Sequence, residues 1–129
     1  MSRVVLVADD EPDIRFMAAL RLRRGGWDVV EAEDGEQAAD VVASRDLDAL
    51  VVDHRMPGRT GIEVARLART IGYSGPIVLF SAYLDPLIEQ EAIQLEVCTL
   101  GKADVSMLAE MLDTLSTGVC CRPTPPDED

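Results

Sequence analysis

The sequence has few basic residues and no long apolar run, and each shortage argues against a class of protein. Its 129 residues include 12 Lys and Arg against 24 Asp and Glu, which gives a formal net charge of −12. A nucleic-acid-binding surface needs a basic face for the phosphates, so nucleic acid is not an expected partner. No apolar run approaches the roughly 20 residues that span a bilayer, so no membrane segment is expected.

Cysteine and histidine are also too sparse for a disulfide framework or a zinc site. Cys98 falls in an apolar segment, as buried cysteines commonly do, while Cys120 and Cys121 are adjacent near the C-terminus. With one histidine and no Cys-x-x-Cys spacing, zinc is not expected. The first apolar run is too short for a signal peptide, so we predict a cytoplasmic protein.

The most informative stretch is residues 49–58, in which an unbroken apolar run ends in Asp53. A run without polar alternation is typical of a strand that is buried on both faces of a parallel sheet. The carboxylate is followed by a Met56-Pro57-Gly58 turn. An Asp at the end of such a strand lies at the carboxyl edge, where open α/β sheets place their chemistry.

Similar strand–helix units recur five times along the chain. The predicted strands cover residues 3–8, 29–32, 48–53, 76–80 and 97–100. The predicted helices cover residues 12–24, 34–44, 61–71, 85–94 and 104–115. Spacings of about 20–28 residues indicate a parallel sheet with right-handed crossovers. The predicted fold class is therefore α/β, a flavodoxin-like doubly wound sheet of five parallel strands in the order 2-1-3-4-5, with five helices.

This pattern predicts one domain over residues 1–116. Residues 117–129 are rich in proline and acidic residues, and we interpret them as a disordered tail. Trp27 is assigned to the loop before the second strand, as a packing residue at the edge opposite Asp53.

The strand order brings three carboxylates together, because the first and third strands are neighbours. Asp9 and Asp10 follow the first strand, and Asp53 ends the third. Each alone is explained by capping a helix or ending a strand. Together they repel, by roughly 4 kcal/mol for two charges about 4 Å apart at an effective dielectric near 20. Hard oxygen ligands of this kind suit Mg²⁺, which the three carboxylates favour as a cofactor.

A hydroxyl and an ammonium group are predicted at the same edge. Ser81 closes the fourth strand and Lys102 closes the fifth. Beside a metal-bound carboxylate, these groups suit the equatorial oxygens of a transferred phosphoryl group. Lys102 is the only lysine, and the other 11 of the 12 basic residues are arginines. A compact ammonium is not interchangeable with the planar arginine fork, so this position indicates a specific role.

These residues together resemble the receiver domain of bacterial two-component response regulators, over roughly residues 3–116. The resemblance rests on Asp9-Asp10, Val51-Val52-Asp53-x-x-Met56-Pro57-Gly58, Ser81-Ala82 and Lys102. It implies that Asp53 takes a phosphoryl group from the phosphohistidine of a histidine kinase or a histidine phosphotransfer protein. It also implies that Asp9, Asp10, Asp53 and the carbonyl of Arg55 hold Mg²⁺, and that Ser81 and Lys102 bind the phosphoryl oxygens.

The chain departs from the family pattern near the fifth strand. Ala103 replaces the proline that usually follows the lysine after a cis bond, and a cis bond before a non-proline costs about 3–4 kcal/mol. Either that bond is retained under tertiary constraint, or the segment that holds Lys102 differs. Thr99 stands where the family often has an aromatic switch residue. These departures fall on the face of helix 4, strand 5 and helix 5, which the resemblance implies for signalling.

The leading hypothesis is a single-domain response regulator that signals through contacts with a downstream protein, as a monomer or weak homodimer. It is not expected to be an enzyme beyond assisting its own Mg²⁺-dependent phosphotransfer and dephosphorylation. The alternatives are a phosphorylation-independent adaptor and a phosphoryl sink without a downstream target. An aspartyl-phosphate phosphatase ranks last, since it needs a second Asp where this chain has Arg55.

Overall fold

A computed structural model describes residues 3–81 and 85–116, in which strands and helices alternate. The strands are β1 (Arg3–Ala8), β2 (Trp27–Ala32), β3 (Ala49–Val52), β4 (Ile77–Ser81) and β5 (Cys98–Gly101). The helices are α1 (Pro12–Arg24), α2 (Gly35–Ser44), α3 (Gly61–Thr70), α4 (Pro86–Gln94) and α5 (Leu108–Ser116). All strand pairs are parallel, in the order β2-β1-β3-β4-β5. The predicted fold class and strand order are thus confirmed.

The sheet is buried between two helical layers, which explains its unalternated strands. In β3, Leu50 and Val52 face the layer of α2, α3 and α4, whereas Ala49 and Val51 face the layer of α1 and α5. All four of these side chains are buried. A strand covered on both faces needs apolar residues at every position, so the sheet presents its polar groups mainly at its edges.

Side-chain caps begin the helices that follow β2, β3 and β4. Asp34 and Asp85 each accept a hydrogen bond from the backbone N–H three residues further on. Thr60 and Glu63 form a reciprocal capping box at the start of α3. Such caps satisfy N–H groups that the first helical turn leaves unpaired. They fix where each loop at the carboxyl edge ends.

Two sequence-based assignments were wrong in detail. Trp27 is the first residue of β2 rather than a loop residue; it is buried, and the Arg3 guanidinium lies 4.1 Å from its ring centroid. The final helix does not begin near Asp104, because Lys102–Met107 form a 3₁₀ helix and α5 begins at Leu108. Asp104 has non-helical angles, and the segment contains the weak helix formers Val105 and Ser106.

The opposite edge of the sheet, where the strands begin, is tied together by Arg69 of α3. Its guanidinium donates hydrogen bonds of 2.8–3.0 Å to four backbone carbonyl groups. The acceptors are Tyr73 and Gly75, before β4, and Leu95 and Glu96, before β5. Within this clamp, Glu96, which follows the C-cap residue Leu95 of α4, has a left-handed backbone conformation with φ 58°.

Residues 82–84 and the expected tail, 117–129, with Cys120 and Cys121, lie outside the described residues. Within the part of the chain that the structure describes, no helix is long and apolar enough to cross a membrane.

Candidate functional site

The parallel ladder itself carries the predicted site residues to one edge. The Asp53 N–H donates to the Ala8 carbonyl at 2.9 Å, and the Asp9 N–H donates to Ala32 at 3.1 Å. Just beyond the strand ends, Asp53 therefore continues the pairing of β3 with β1, and Asp9 continues the pairing of β1 with β2. Ser81 ends β4 opposite Gly101, so Lys102 follows at the same edge.

Three carboxylates converge here. One oxygen from each of Asp9, Asp10 and Asp53 lies within 4.8 Å of the others. Asp9 is 1% exposed and Asp53 is 4% exposed, whereas Asp10 is open to solvent. Asp9 Oδ1 accepts the Glu11 N–H at 2.9 Å, while the buried Oδ2 has no hydrogen-bond partner. Three clustered carboxylates offer the hard oxygen ligands that suit Mg²⁺, so this acidic cluster is compatible with that cation.

Lys102 offsets part of this negative charge. Its Nζ lies 3.2 Å from Asp53 Oδ2, 3.2 Å from Asp9 Oδ2 and 3.0 Å from Glu11 Oε1. Hydrogen-bond geometry is met toward Asp53 and Glu11, while the Asp9 contact is an ion pair only. The lysine side chain is 13% exposed. The single ammonium group of Lys102 thus forms ion pairs with three carboxylates.

Burial and mutual repulsion perturb these groups. Burial, followed by the negative charge of Asp9, raises the pKa of Asp53 to about 6, although Lys102 acts in the opposite direction. Burial likewise raises the pKa of Asp9 above its usual range. Burial lowers the pKa of Lys102, but its hydrogen bond to Glu11 and the charges of Asp53 and Asp9 outweigh that effect and raise it. Perturbed, clustered carboxylates are typical of functional sites.

The backbone around Asp53 leaves no room for a side chain at Gly61. A Cβ atom there would lie 2.4 Å from the Asp53 carbonyl oxygen and 2.6 Å from Leu79 Cδ1. The Gly61 N–H donates to the carbonyl of His54, which helps close the loop between β3 and α3. Glycine is therefore required at the start of α3 for the backbone to pass close behind the carboxylate.

The structure thus brings Asp9, Asp10, Asp53 and Lys102 into contact or near contact. Ser81 is 7% exposed at the same edge, and Arg55 lies in the loop two residues beyond Asp53 with an exposed side chain.

Glu11, which was not predicted as a site residue, is the nearest carboxylate partner of Lys102. The signal was its place directly after Asp9-Asp10, at the start of α1. Its partner, however, lies 91 residues away in sequence.

The segment after β5 follows the second of the two predicted alternatives. The described residues contain no cis peptide bond, so Lys102–Ala103 is trans, and Lys102 opens the 3₁₀ helix directly. Thr99 on β5 is exposed. The lysine still reaches Asp53 without the usual proline.

Comparison with known proteins agrees with this geometry. The family model described as the response regulator receiver domain matches residues 5–102. The chain belongs to the response regulator receiver domain family.

Several solved structures share the fold. The chemotaxis protein CheY4 of Vibrio cholerae is 27% identical with a TM-score of 0.81, covering 89% of this chain and 99% of that one. The response regulator TrrA of Thermotoga maritima, solved in complex with Mg²⁺ and BeF, is 29% identical with a TM-score of 0.78, covering 88% and 98%. The Francisella response regulator 1452 receiver domain is 24% identical with a TM-score of 0.82, covering 91% and 98%, and supports the fold alone.

Proposed function

We propose that this protein is a phosphorylation-switched receiver whose phosphoryl acceptor is Asp53. The observation that supports this most strongly is that the buried Asp53 carboxylate lies within 4.8 Å of the acidic pair and 3.2 Å from the ammonium of Lys102. Membership of the receiver family implies phosphoryl acceptance as a class of chemistry. The assignment to Asp53 and to its neighbours is our proposal.

In the proposed reaction, a carboxylate oxygen of Asp53 attacks the phosphorus of a donor phosphohistidine. The new O–P bond makes an acyl phosphate, the N–P bond breaks, and its electron pair returns to the imidazole of the donor. Asp53 acts in its ionised form, which the pKa of about 6 allows at neutral pH. Its fixed position at the end of β3 presents the carboxylate to an in-line donor.

Asp9, Asp10, Asp53 and the Arg55 carbonyl would hold Mg²⁺. When bound, the cation supplies positive charge that neutralises the carboxylates and the phosphoryl oxygens. The convergence of one oxygen from each of Asp9, Asp10 and Asp53 within 4.8 Å supports this set. Asp10 is exposed and can contribute through water, as Mg²⁺ sites commonly retain several water ligands.

Ser81 and Lys102 would bind the phosphoryl oxygens. Lys102 already contacts Asp53 at 3.2 Å, so only a small movement is needed to reach a group attached to that carboxylate. Ser81 ends the strand next to β3, at the same edge of the sheet. A fixed ammonium and a hydroxyl act on charge that develops in the transition state.

The proposed partners follow from this chemistry. A histidine kinase or histidine phosphotransfer protein would donate the phosphoryl group. A downstream protein would bind the phosphorylated receiver, which we propose is a monomer or weak homodimer. We further propose that the protein acts as a single-domain regulator in the cytoplasm.

The test is intact mass after incubation with acetyl phosphate, with and without Mg²⁺. We expect the wild type to gain one phosphoryl group only with Mg²⁺, and Asp53→Asn to gain none. Asp46→Asn is the matched control, because Asp46 is exposed in the connection before β3, at the other edge of the sheet. Labelling of Asp53→Asn at the wild-type rate would contradict the site assignment.

A phosphorylation-independent adaptor is the second candidate, and the altered β5 region favours it. Thr99 is exposed where an aromatic switch residue is common in the family, so one means of coupling the site to a partner is missing. The two functions differ in partner affinity with and without beryllofluoride, a phosphoryl mimic. Partner affinity that rises with the mimic supports the switch, and equal affinity supports the adaptor. A chain that is phosphorylated but binds no downstream protein in either state supports a phosphoryl sink.

A further inference from the structure

Glu11 occupies the N-cap position of α1 but does not act as a cap. Its backbone is in place, since the Arg15 N–H donates to the Glu11 carbonyl at 2.9 Å, yet its side chain accepts no hydrogen bond from the helix start. Glutamate is a poor capping residue, because the longer side chain does not fold back as aspartate or serine does. The carboxylate instead reaches Lys102 Nζ at 3.0 Å.

Glu11 is also separate from the carboxylates that would hold the cation. Among the described residues, the group of three acidic side chains whose oxygens lie within 4.8 Å of one another consists of Asp9, Asp10 and Asp53, without Glu11. The Glu11 side chain is 62% exposed, whereas the Lys102 side chain is 13% exposed. Glu11 therefore contacts the ammonium from the solvent side, and Asp53 contacts it from within.

From this arrangement we propose that Glu11 is a positioning residue that sets the resting place of Lys102 and competes with the phosphoryl group for it. The Nζ group has three N–H donors. In the resting chain two of them are used by Glu11 and Asp53, and Asp9 Oδ2 forms an ion pair with the same nitrogen at 3.2 Å. A phosphoryl group on Asp53 requires a donor from the same ammonium. Glu11 must then share or release Lys102, which weakens the modified state.

This inference rests on the proposed function and concerns the strength of phosphoryl binding. An ion pair with one exposed partner contributes little, typically 0.2–1 kcal/mol. Removing the contact should therefore strengthen beryllofluoride binding, in the presence of Mg²⁺, by roughly two- to five-fold. Phosphorylation by acetyl phosphate below saturation should accelerate by a similar factor.

Two substitutions separate the contact from the charge. Glu11→Gln keeps the shape and removes the charge, while Glu11→Asp keeps the charge and shortens the side chain by one methylene. If Glu11 acts through its hold on Lys102, both variants bind beryllofluoride more tightly than the wild type. If Glu11→Asp behaves like the wild type and only Glu11→Gln differs, the effect is one of charge alone and the proposal is wrong.

A double-mutant cycle with Lys102→Met tests whether the effect passes through the lysine. The effect of Glu11→Gln on beryllofluoride binding should vanish once Lys102 is replaced. An effect that persists in the Lys102→Met chain would overturn the proposal. Asp13→Asn is the matched control, because Asp13 is another exposed acid in the first turn of α1, and it should leave binding unchanged.

The resting contact can be observed without any phosphoryl chemistry. Lys102 is the only lysine, so ¹³C,¹⁵N-lysine labelling gives one side-chain NMR signal. That signal should shift in both Glu11 variants and stay in place in Asp13→Asn; an unchanged signal in the Glu11 variants contradicts the contact. Failure of the unmutated chain to bind beryllofluoride or gain a phosphoryl group would instead contradict the proposed function, which is a result seen without any Glu11 substitution.

Discussion

The two edges of the sheet each depend on one cationic side chain, and they use it in opposite ways. At the edge where strands begin, Arg69 donates to four neutral carbonyl groups through hydrogen bonds of 2.8–3.0 Å. At the edge where strands end, Lys102 faces three carboxylates, and the buried Oδ2 of Asp9 still has no hydrogen-bond partner.

The difference shows where this small domain is stabilised and where it is reactive. A guanidinium that satisfies several carbonyls removes unpaired polar groups from turns that must be partly buried. Clustered carboxylates of one sign do the reverse, since they destabilise the fold until a cation or proton joins them. The beginning of the strands thus supports the fold, and their end carries the proposed chemistry.

The largest expected effect is at Arg69. Arg69→Ala leaves the carbonyls of Tyr73, Gly75, Leu95 and Glu96 without this donor, so we expect the free energy of unfolding to fall by about 2–4 kcal/mol. Urea unfolding measures it. Phosphoryl labelling of the folded variant should remain, because the clamp lies at the other edge.

The matched control for Arg69 is Arg66→Ala in the same helix. Arg66 forms an exposed ion pair with Glu91, which should contribute at most about 1 kcal/mol. If both alanine variants lose the same stability, the guanidinium clamp has no special role and the contrast between the two edges fails.

Asp53→Asn should raise the free energy of unfolding, in addition to abolishing phosphoryl labelling. The folded pKa of Asp53, about 6, is above its ordinary value of 3.8, so the folded state binds more protons between those pH values. The free energy of unfolding therefore falls as pH rises through this window. A shift of about two pKa units corresponds to roughly 3 kcal/mol, which the neutral Asn avoids.

The measurement is urea unfolding of both chains from pH 4.5 to 8 in EDTA. The advantage of Asp53→Asn should be largest above pH 6 and should shrink toward pH 4.5. Asp46→Asn, at an exposed position, should show no such window. If the gain in unfolding free energy of Asp53→Asn does not change with pH, ionisation of Asp53 does not destabilise the folded chain.

Gly61→Ala tests whether the position of Asp53 depends on the close approach of the Gly61 backbone. The added Cβ would overlap the Asp53 carbonyl, so we expect a loss of about 1–3 kcal/mol and slower phosphoryl labelling as the carboxylate shifts. Gly101→Ala is the control next to Lys102, because a Cβ there meets only Asp104 Oδ2 at 3.8 Å. Equal behaviour of the two variants would show that the backbone can move behind Asp53 at little cost.

Much of the fold followed from local patterns. Apolar runs without alternation predicted the doubly covered strands, and the carboxylates that end them predicted one edge with Asp9, Asp10 and Asp53. Parallel pairing brings strand ends together whatever the intervening residues are, so these predictions needed no knowledge of tertiary contacts.

The remainder depends on contacts between distant segments. The tie between Glu11 and Lys102 and the reach of Arg69 to Glu96 join residues that are 91 and 27 positions apart, and no periodicity marks them. Trp27 belongs to β2 through its pairing with Arg3, a contact between residues 24 positions apart. Propensity describes such segments poorly when tertiary contacts decide them.

The place of Trp27 has an optical consequence. It is the only tryptophan, and it lies at the start of β2, about 16 Å along the strand from the edge that carries Asp53. Its indole is buried beside the Arg3 guanidinium and will respond when the layers separate. Intrinsic fluorescence should therefore follow global unfolding faithfully and remain nearly silent when Mg²⁺ or a phosphoryl mimic binds at the other end of the strands.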